Sequence, residues 1–337
     1  MNVEAVLYGV GFIGALIGKV AIRKGIEIKG AIDIDPRKIG KDLGEVIGIG
    51  EKIGVRISKD PEEVLSKAKP DVVFHATGSF LDKVYPQIVK IIKHNAKVIS
   101  TCETLAYPYY RYPELAELID IYAKAHNSSV LSCGVNPGFI MDLLPSIMTL
   151  SLIDIKSIKI TRSLNAAKRR FSFQKKIGLG LKPEEWREML NQRIISGHVG
   201  YAESICLIAS MLGIKLERIE ERQEPILAER DYSTRYFKIK EGNVVGIKGV
   251  GKGYCKEGID IEINLIASVS AEDYEEITIL GEPTTRWRSN GTPGDLATAA
   301  VVVNVVPNIL EAQPGLLTIK DIKVPSWKNR LYVVSTS

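Results

Sequence analysis

The sequence has few of the residues that build metal centres and disulfide frameworks. Only 4 cysteines and 4 histidines occur among 337 residues. The cysteines are far apart and form no CxxC pair: Cys102, Cys133, Cys206 and Cys255. We therefore expect neither a zinc site nor a disulfide framework, and we expect a reducing compartment, the cytoplasm.

Long hydrophobic runs and an excess of one charge are also missing. The longest apolar stretch, residues 5–18, is too short and too rich in glycine to span a bilayer, and no signal peptide is expected before it. The 45 basic and 40 acidic residues leave a net charge of +5 that is spread along the chain. We expect a soluble protein with no membrane and no nucleic-acid partner. One denser basic stretch, residues 168–176, is either a solvated face or a site for an anionic group.

The first 140 residues alternate short apolar runs with amphipathic segments. This rhythm is typical of an α/β fold, and it predicts a doubly wound parallel sheet of the Rossmann type over residues 1–140. The predicted strands are 3–9, 26–33, 71–75, 96–100 and 129–132, and the predicted helices are 12–24, 61–68, 81–94 and 113–126.

Beyond residue 150 the pattern changes to a period of two, which is typical of a sheet with one wet face. The predicted strands are 157–162, 236–240, 244–249 and 259–266, with helices at 183–194 and 200–212 and hairpin turns at Gly242-Asn243 and Glu257-Gly258. We expect residues 141–290 to form an α+β substrate and dimerisation domain with an open, mostly antiparallel sheet. Such a sheet makes a homodimer the expected assembly.

A strongly apolar helix is predicted near the end of the chain, within residues 293–312. We expect it to be buried on nearly all sides and to pack back near the first domain.

The clearest motif is GxGxxG at residues 9–14, directly after a predicted strand and at the start of a predicted helix. Gly9 permits the tight turn, Gly11 lets a pyrophosphate approach the backbone, and Gly14 allows close packing of helix and strand. Phe12 and Ile13 would offer backbone N–H groups at the positive end of the helix. The motif predicts that a dinucleotide, NAD or NADP, binds here.

Two further segments are expected at the cofactor. Asp33, at the end of the second strand, is placed to accept hydrogen bonds from the adenosine ribose, which favours NAD. Arg37 or Lys38 could instead pair with the 2′-phosphate of NADP, which would allow the use of both cofactors. Small residues after the strand 71–75 would let the chain pass close to the cofactor: Thr77, Gly78 and Ser79.

Three polar residues are candidates for chemistry. Glu103 follows the next strand into the same crevice, where a carboxylate could hold an ammonium group and exchange protons, although the pattern alone slightly favours a solvated loop glutamate. Asn136 could pair with the nicotinamide carboxamide. His198 is either a substrate ligand or a residue at a helix start. Cys102 and Cys133 lack an activating partner and are interpreted as packing residues.

Taken together, these segments resemble the dihydrodipicolinate-reductase-like superfamily and, within it, the 2,4-diaminopentanoate dehydrogenase and native amine dehydrogenase group. The stretches that carry the resemblance run in the order of the family over nearly the whole chain: GVGFIG (9–14), AIDIDPRKIGKDLGE (31–45), STCETLAYP (100–108), GVNPGFIMDLLP (134–145), KRRFSFQKKIGLGL (168–181), GHVGYAES (197–204) and GDLATAAVVVN (294–304).

The resemblance implies reversible oxidative deamination of an amine or diamino acid, with ammonia as product. Glu103 would be the catalytic glutamate that binds ammonia and stabilises the iminium. Asn136 and four further residues would line the active site: Arg162, Asn165, His198 and Thr298. An arginine near the pocket would suit a substrate carboxylate, which favours a diamino acid.

Departures from the wider superfamily are informative. The histidine-rich and DAPSGTA signatures of dihydrodipicolinate reductase are missing, which disfavours that reaction. Two alternatives stay open: a reductase of a cyclic imine or aldehyde, and a non-catalytic protein that senses a dinucleotide.

Overall fold

The computed structural model describes residues 2–328. Within them the chain divides into two units: unit 1 runs to Phe139 and resumes at Pro293, and unit 2 is Ile140–Thr292.

Unit 1 is built on a seven-stranded sheet in which every pairing is parallel. Its strands are β1 (Glu4–Tyr8), β2 (Glu27–Ile32), β3 (Ile57–Ser58), β4 (Val72–His75), β5 (Lys97–Ser100), β6 (Ser129–Ser132) and β15 (Gly315–Leu317). Its helices are α1 (Phe12–Arg23), α2 (Leu43–Ile47), α3 (Pro61–Ala68), α4 (Leu81–Lys93), α5 (Pro113–Ala125), α10 (Gly294–Asn304) and α11 (Val306–Glu311).

The strand order is β15-β6-β5-β4-β1-β2-β3, so successive strands extend away from β1 on one side and then from β4 on the other. This is the doubly wound arrangement, and the predicted Rossmann fold is confirmed. Ligands of such sheets bind beyond the carboxyl ends of the strands at the point where the direction of winding reverses. Here that point lies between β1 and β4, whose last residues Tyr8 and His75 pair with each other.

The central strands are buried except at the first residues of β1 and β5, since helices cover both faces of a parallel sheet. All four residues of β4 and of β6 are buried. On one side of the sheet, α4 contributes the fully buried Leu81, Ile88 and Ile91 to the core. This rigid layer fixes where the loops after each strand begin.

The apolar helix near the end of the chain is less buried than expected. It divides into α10 and α11, and α10 packs against α1 within unit 1. Residues Gly294–Glu311 are long and apolar enough to cross a membrane by length and composition, a criterion that core helices of soluble proteins also meet, and 39% of this window is buried. Burial on nearly all sides is therefore wrong, because Leu296 remains 54% exposed and a helix that packs on one side buries only a stripe.

Unit 2 carries a six-stranded sheet in the order β14-β13-β7-β12-β11-β8. Only β12 and β7 pair in parallel, so the mostly antiparallel sheet is confirmed. Its strands are β7 (Asp154–Asn165), β8 (Leu216–Leu227), β11 (Val244–Cys255), β12 (Asp260–Ser268), β13 (Tyr274–Glu282) and β14 (Thr285–Ser289), and β9 (Tyr232–Ser233) pairs with β10 (Lys238–Ile239). Its helices are α6 (Leu143–Met148), α7 (Phe171–Lys176), α8 (Pro183–Asn191) and α9 (Tyr201–Leu212).

Helix α9 lies on one face of this sheet because β11 has glycines beneath it. A methyl group at Gly251 would come within 2.7 Å of Tyr201 Cβ. The hairpin expected at Glu257-Gly258 joins β11 to β12 as predicted. The one expected at Gly242-Asn243 is wrong, since β10 pairs with β9 and β11 pairs with β8 and β12.

Candidate cofactor and catalytic site

The glycine turn after β1 has the steric properties that the sequence motif requires. Gly9 has a φ of 96°, and a methyl group there would lie 2.6 Å from the carbonyl oxygen of Ala76. A methyl group at Gly14 would overlap the carbonyl oxygen of Gly9, whereas one at Gly11 would meet no atom within 4 Å. Gly9 and Gly14 are therefore needed for close packing, and Gly11 leaves the backbone open to an approaching group.

Helix α1 begins directly behind this turn. No side chain caps its N-terminus at Gly11, and the side chain of Phe12 is 53% exposed. The first N–H groups of a helix and its partial positive charge attract a phosphate. The turn thus fits a pyrophosphate.

Asp33 follows β2 and ties the end of that strand to the glycine turn. Its Oδ2 atom accepts a hydrogen bond from the N–H of Val10 at 2.8 Å and pairs with Lys38 Nζ at 3.0 Å, while Oδ1 accepts from the N–H of Asp35 at 2.8 Å. Its side chain is only 10% exposed. The carboxylate therefore fixes the glycine turn to the end of β2, at the position where the sequence predicts the adenosine ribose.

The two cations expected near a 2′-phosphate are both paired with acids. Arg37 makes a two-pronged contact with Asp35, at 3.0 and 2.9 Å, and Lys38 lies 3.8 Å from the same carboxylate. The hydrogen bonds from Arg37 lower the pKa of Asp35 far below its usual value. Arg37 is nevertheless 86% exposed, so solvent weakens this pair.

The loop after β4 carries Thr77, Gly78 and Ser79 against the same edge of the sheet. The N–H of Ala76 donates to the carbonyl of Tyr8 at 2.8 Å, which places the loop beside the glycine turn. The carbonyl of Ser79 accepts hydrogen bonds from the N–H and the hydroxyl of Thr104, both at 3.2 Å. The loops after β4 and β5 are thereby joined.

Glu103 begins a single 3₁₀ turn, Glu103–Leu105, directly after β5. The preceding residue, Cys102, is held from both sides: its N–H donates to Ser100 Oγ at 3.0 Å and its carbonyl accepts from Ser132 Oγ at 2.7 Å. Burial and the neighbouring Glu103 raise the pKa of the Cys102 thiol to about 12, in agreement with a packing role. These two hydrogen bonds therefore fix the backbone directly before Glu103, which is itself half-buried.

Asn136 and Thr298 also lie at this end of unit 1. Asn136 follows β6 and is joined to Pro137 by a cis peptide bond. The hydroxyl of Thr298, on α10, accepts a hydrogen bond from the N–H of Val135 at 3.3 Å. A methyl group at Gly134 would lie 3.3 Å from the Thr298 methyl, so α10 packs closely on this loop.

Arg162, expected at the substrate, is engaged inside unit 2. Its Nε atom lies 3.3 Å from Glu275 Oε1, with side-chain exposures of 3% and 1%, and its Nη2 donates to the carbonyl of Thr292 at 3.2 Å. Burial lowers the pKa of Arg162 to about 10, against the opposing effect of Glu275. Its charge is therefore largely balanced by a carboxylate of the same unit.

Asn165, at the end of the same strand, caps a short turn. Its Oδ1 atom accepts a hydrogen bond from the N–H of Ala167 at 2.9 Å, and its own N–H donates to Asp273 at 2.7 Å. The side-chain carbonyl is thus already used by the backbone.

His198 precedes α9, and its ring packs edge-on against Tyr201 with 4.7 Å between centroids. Its Nε2 atom and the Tyr201 hydroxyl are buried and have no hydrogen-bond partner within residues 2–328. Burial, with Lys176 and Arg162 nearby, lowers the pKa of His198 to about 3. The ring is neutral at pH 7.

The candidate residues thus fall into two sets, one in each unit. Unit 1 gathers the glycine turn, Asp33, the 77–79 loop, Glu103, Asn136 and Thr298 at the carboxyl edge of its sheet, and unit 2 carries Arg162, Asn165 and His198. Sequence reasoning missed one residue of this edge, His75, whose only signal was a histidine that ends an otherwise apolar strand.

Comparison with known proteins shows similarity to one enzyme family. Residues 139–330 match the family model of the 2,4-diaminopentanoate dehydrogenase C-terminal domain. The chain is 33% identical to the 2,4-diaminopentanoate dehydrogenase of Acetoanaerobium sticklandii, over 96% of this chain and 94% of that protein. It is 23% identical to an amine dehydrogenase of Streptomyces virginiae, over 98% of each chain.

A solved structure shares the fold. The amine dehydrogenase from Mycobacterium smegmatis superimposes with a TM-score of 0.91 at 23% identity, over 98% of this chain and 99% of that one.

Proposed function

This chain belongs to the 2,4-diaminopentanoate dehydrogenase family, and on that premise we propose that it is an NAD(P)-dependent dehydrogenase acting on CH–NH₂ groups. The reaction is reversible oxidative deamination. A hydride leaves the amine-bearing carbon, and water hydrolyses the resulting imine to a carbonyl product and ammonia. The observation that carries this proposal is the position of Glu103, in a rigid turn at the same sheet edge as the glycine turn.

The residues of unit 1 fit a nicotinamide dinucleotide. The open backbone at Gly11 and the N-terminus of α1 would hold the pyrophosphate, and Asp33 would accept hydrogen bonds from the adenosine ribose. When bound, the cofactor supplies the hydride acceptor or donor. Because Arg37 and Lys38 already pair with acids, we propose that NAD and NADP both bind and that NADP must compete with Asp35 for Arg37.

Glu103 would bind the amine and manage its protons. A carboxylate accepts hydrogen bonds from a substrate ammonium, takes a proton from it, and then stabilises the iminium that remains after hydride transfer. Such roles require a fixed position, and the backbone of the turn is held by Ser100, Ser132 and Thr104. Asn136 would orient the nicotinamide from the next loop.

The proposed substrate is a diamino acid, such as the 2,4-diaminopentanoate for which the family is named. Support comes from the basic side chains of unit 2, which suit a carboxylate. Arg169 lies over the ring of Phe173 at 4.9 Å, and burial lowers its pKa. Arg162 is a weaker candidate than the sequence indicated, because Glu275 balances its charge.

The test compares the wild-type protein with Glu103→Gln in a spectrophotometric screen of amines and amino acids with NAD and NADP. We expect the wild-type protein to oxidise 2,4-diaminopentanoate. In the reverse direction it should oxidise NADH or NADPH in the presence of ammonia and a suitable ketone. The kcat of the variant should be lower by about 10²-fold or more. Calorimetry should find cofactor affinity unchanged. Glu117→Gln, at an exposed position of α5, is the matched control and should behave as wild type.

Other results would contradict the proposal in distinct ways. If the protein reduced a carbonyl or imine compound without added ammonia, its substrate would be a cyclic imine or an aldehyde. If it bound the cofactor but turned over no amine, it would be a sensing protein. Full activity of Glu103→Gln would remove this carboxylate from the mechanism. If the enzyme oxidised only amines without a carboxylate, the proposal that its substrate is a diamino acid would be wrong.

We further propose that the protein is a cytoplasmic homodimer. All four cysteines lie buried within residues 2–328 and none of them forms a disulfide, as expected in a reducing compartment. The unit 2 sheet is six strands wide, and buried residues of β12 alternate with partly exposed ones such as Ile266. Light scattering coupled to gel filtration should give twice the 37.2 kDa of one chain, and Ile266→Glu should shift it to the monomer. A wild-type monomer would contradict the assembly.

A further inference from the structure

A hydrogen-bonded network lies beneath the carboxyl edge of the parallel sheet in unit 1. At its centre is His75, the last residue of β4, which is 0% exposed. Its Nδ1 atom lies 2.9 Å from Ser100 Oγ, and its Nε2 atom lies 2.8 Å from Gln87 Oε1 and 2.9 Å from Thr77 Oγ1. Both ring nitrogens are therefore engaged.

The partners determine where the hydrogens are. Gln87 Oε1 can only accept, so Nε2 carries the ring hydrogen and Nδ1 accepts from the hydroxyl of Ser100. The hydroxyl of Thr77 also donates to Gln87 Oε1, at 2.6 Å. Burial lowers the pKa of His75 to about 4. The ring is thus neutral at pH 7 and has one tautomer.

The network joins two loops that the proposed function uses. On one side it fixes the hydroxyl of Thr77, in the loop after β4. On the other side Ser100 Oγ accepts from the N–H of Cys102 at 3.0 Å, one residue before Glu103. The strands are in register here, since His75 pairs with Ser100. The ring also packs edge-on against Tyr8, 5.6 Å between centroids, just before the glycine turn.

We propose that His75 is a positioning residue, which as a neutral imidazole holds the hydroxyl of Thr77 in place for the cofactor and the turn of Glu103 in place for the amine. Polar networks whose members are all satisfied specify one arrangement of the groups they join, and here the buried His75 and Ser100 anchor an exposed Thr77. The Glu103 half of this inference rests on the proposed function. The Thr77 half requires only that a dinucleotide binds.

Two conservative variants separate the halves. The side-chain amide of His75→Asn occupies the place of Nδ1, so it retains the contact with Ser100 and loses that with Thr77 and Gln87. The longer amide of His75→Gln occupies the place of Nε2, so it retains Thr77 and Gln87 and loses Ser100. His126→Asn, outside the network, is the control.

We expect opposite patterns in the two variants. His75→Asn should weaken the cofactor Kd, measured by calorimetry, by about tenfold and leave kcat within about twofold of wild type, as expected for the loss of one buried hydrogen-bonding site. His75→Gln should lower kcat by about tenfold and leave Kd unchanged. Folded variants that change kcat and Kd in parallel, or neither of them, would show that His75 is only a structural residue.

Two measurements decide the matter if the variants fail to fold. Ser100→Ala removes a single hydroxyl, and it should lower kcat with Kd retained; an unchanged kcat would overturn the proposal. In wild-type protein labelled with ¹⁵N-histidine, long-range ¹H–¹⁵N spectra at pH 7 should show a neutral His75 with hydrogen on Nε2. An imidazolium, or hydrogen on Nδ1, would also overturn it.

The failure of the proposed function remains distinguishable. A wild-type protein that binds NAD but oxidises no amine would refute that function. The ¹⁵N spectra and the effect of His75→Asn on cofactor affinity would still test the positioning role.

Discussion

At the scale of single residues, the glycine turn could be predicted because backbone sterics dictate it. Gly9 and Gly14 lie where any side chain would strike a carbonyl group, and the spacing of the motif encodes that requirement. His75 could not be predicted in the same way. Its role depends on Gln87 and Ser100, which neighbouring elements bring to it and which no local spacing announces.

The same sterics predict different outcomes for two glycine-to-alanine substitutions. Gly11→Ala meets no atom within 4 Å, so the protein should fold normally while the new methyl group obstructs the approach of a pyrophosphate. We expect an unchanged Tm and a cofactor Kd weakened by about tenfold or more, since a lost charge-assisted hydrogen bond has this effect. Thermal unfolding measures the Tm, and calorimetry measures the cofactor Kd.

Gly14→Ala should differ from Gly11→Ala in its effect on stability. Its methyl group would overlap the carbonyl oxygen of Gly9, so the unfolding free energy should fall by about 1–3 kcal/mol along with cofactor binding. If Gly11→Ala bound NAD as tightly as wild type, the glycine turn would not be the pyrophosphate site.

At the scale of elements, the apolar strands of unit 1 were predictable because a buried parallel strand must be apolar on both faces. Strand β8 was missed for the opposite reason. Half of its residues, in the sequence LERIEERQEPIL, are charged, and none of them is fully buried. It lies at the sheet edge and pairs only with β11, where charges and a proline are tolerated.

Short strands were missed for lack of length. Strand β3 has two residues and β15 has three, too few for a periodic pattern to emerge. Strand β15 also pairs with β6 in the sheet, although all residues of unit 2 lie between these two strands in the sequence. Pairings between distant segments are a property of the folded chain, and the local sequence does not reveal them.

At the scale of the whole molecule, two buried histidines, one in each unit, link stability to pH. Burial lowers the pKa of His75 to about 4 and that of His198 to about 3, whereas an unfolded histidine titrates near about 6.5. Below that pH the unfolded chain therefore binds protons that the folded chain does not. The carboxylates with lowered pKa, such as Asp35, lose their contribution only in more acidic solution.

The unfolding free energy should consequently fall as the pH is lowered from 7 to 5, by about 2 kcal/mol for each buried histidine. The contribution of each histidine is fully present above pH 6.5 and is lost as the pH approaches the folded pKa. Urea unfolding at pH 7, 6 and 5 measures this slope, and His75→Asn should reduce it by about half whatever its effect on absolute stability. His126→Asn, which leaves both buried histidines in place, is the comparison variant. A stability independent of pH over this range would mean that both rings accept protons in the folded protein, and the neutral His75 on which the positioning network depends would be wrong.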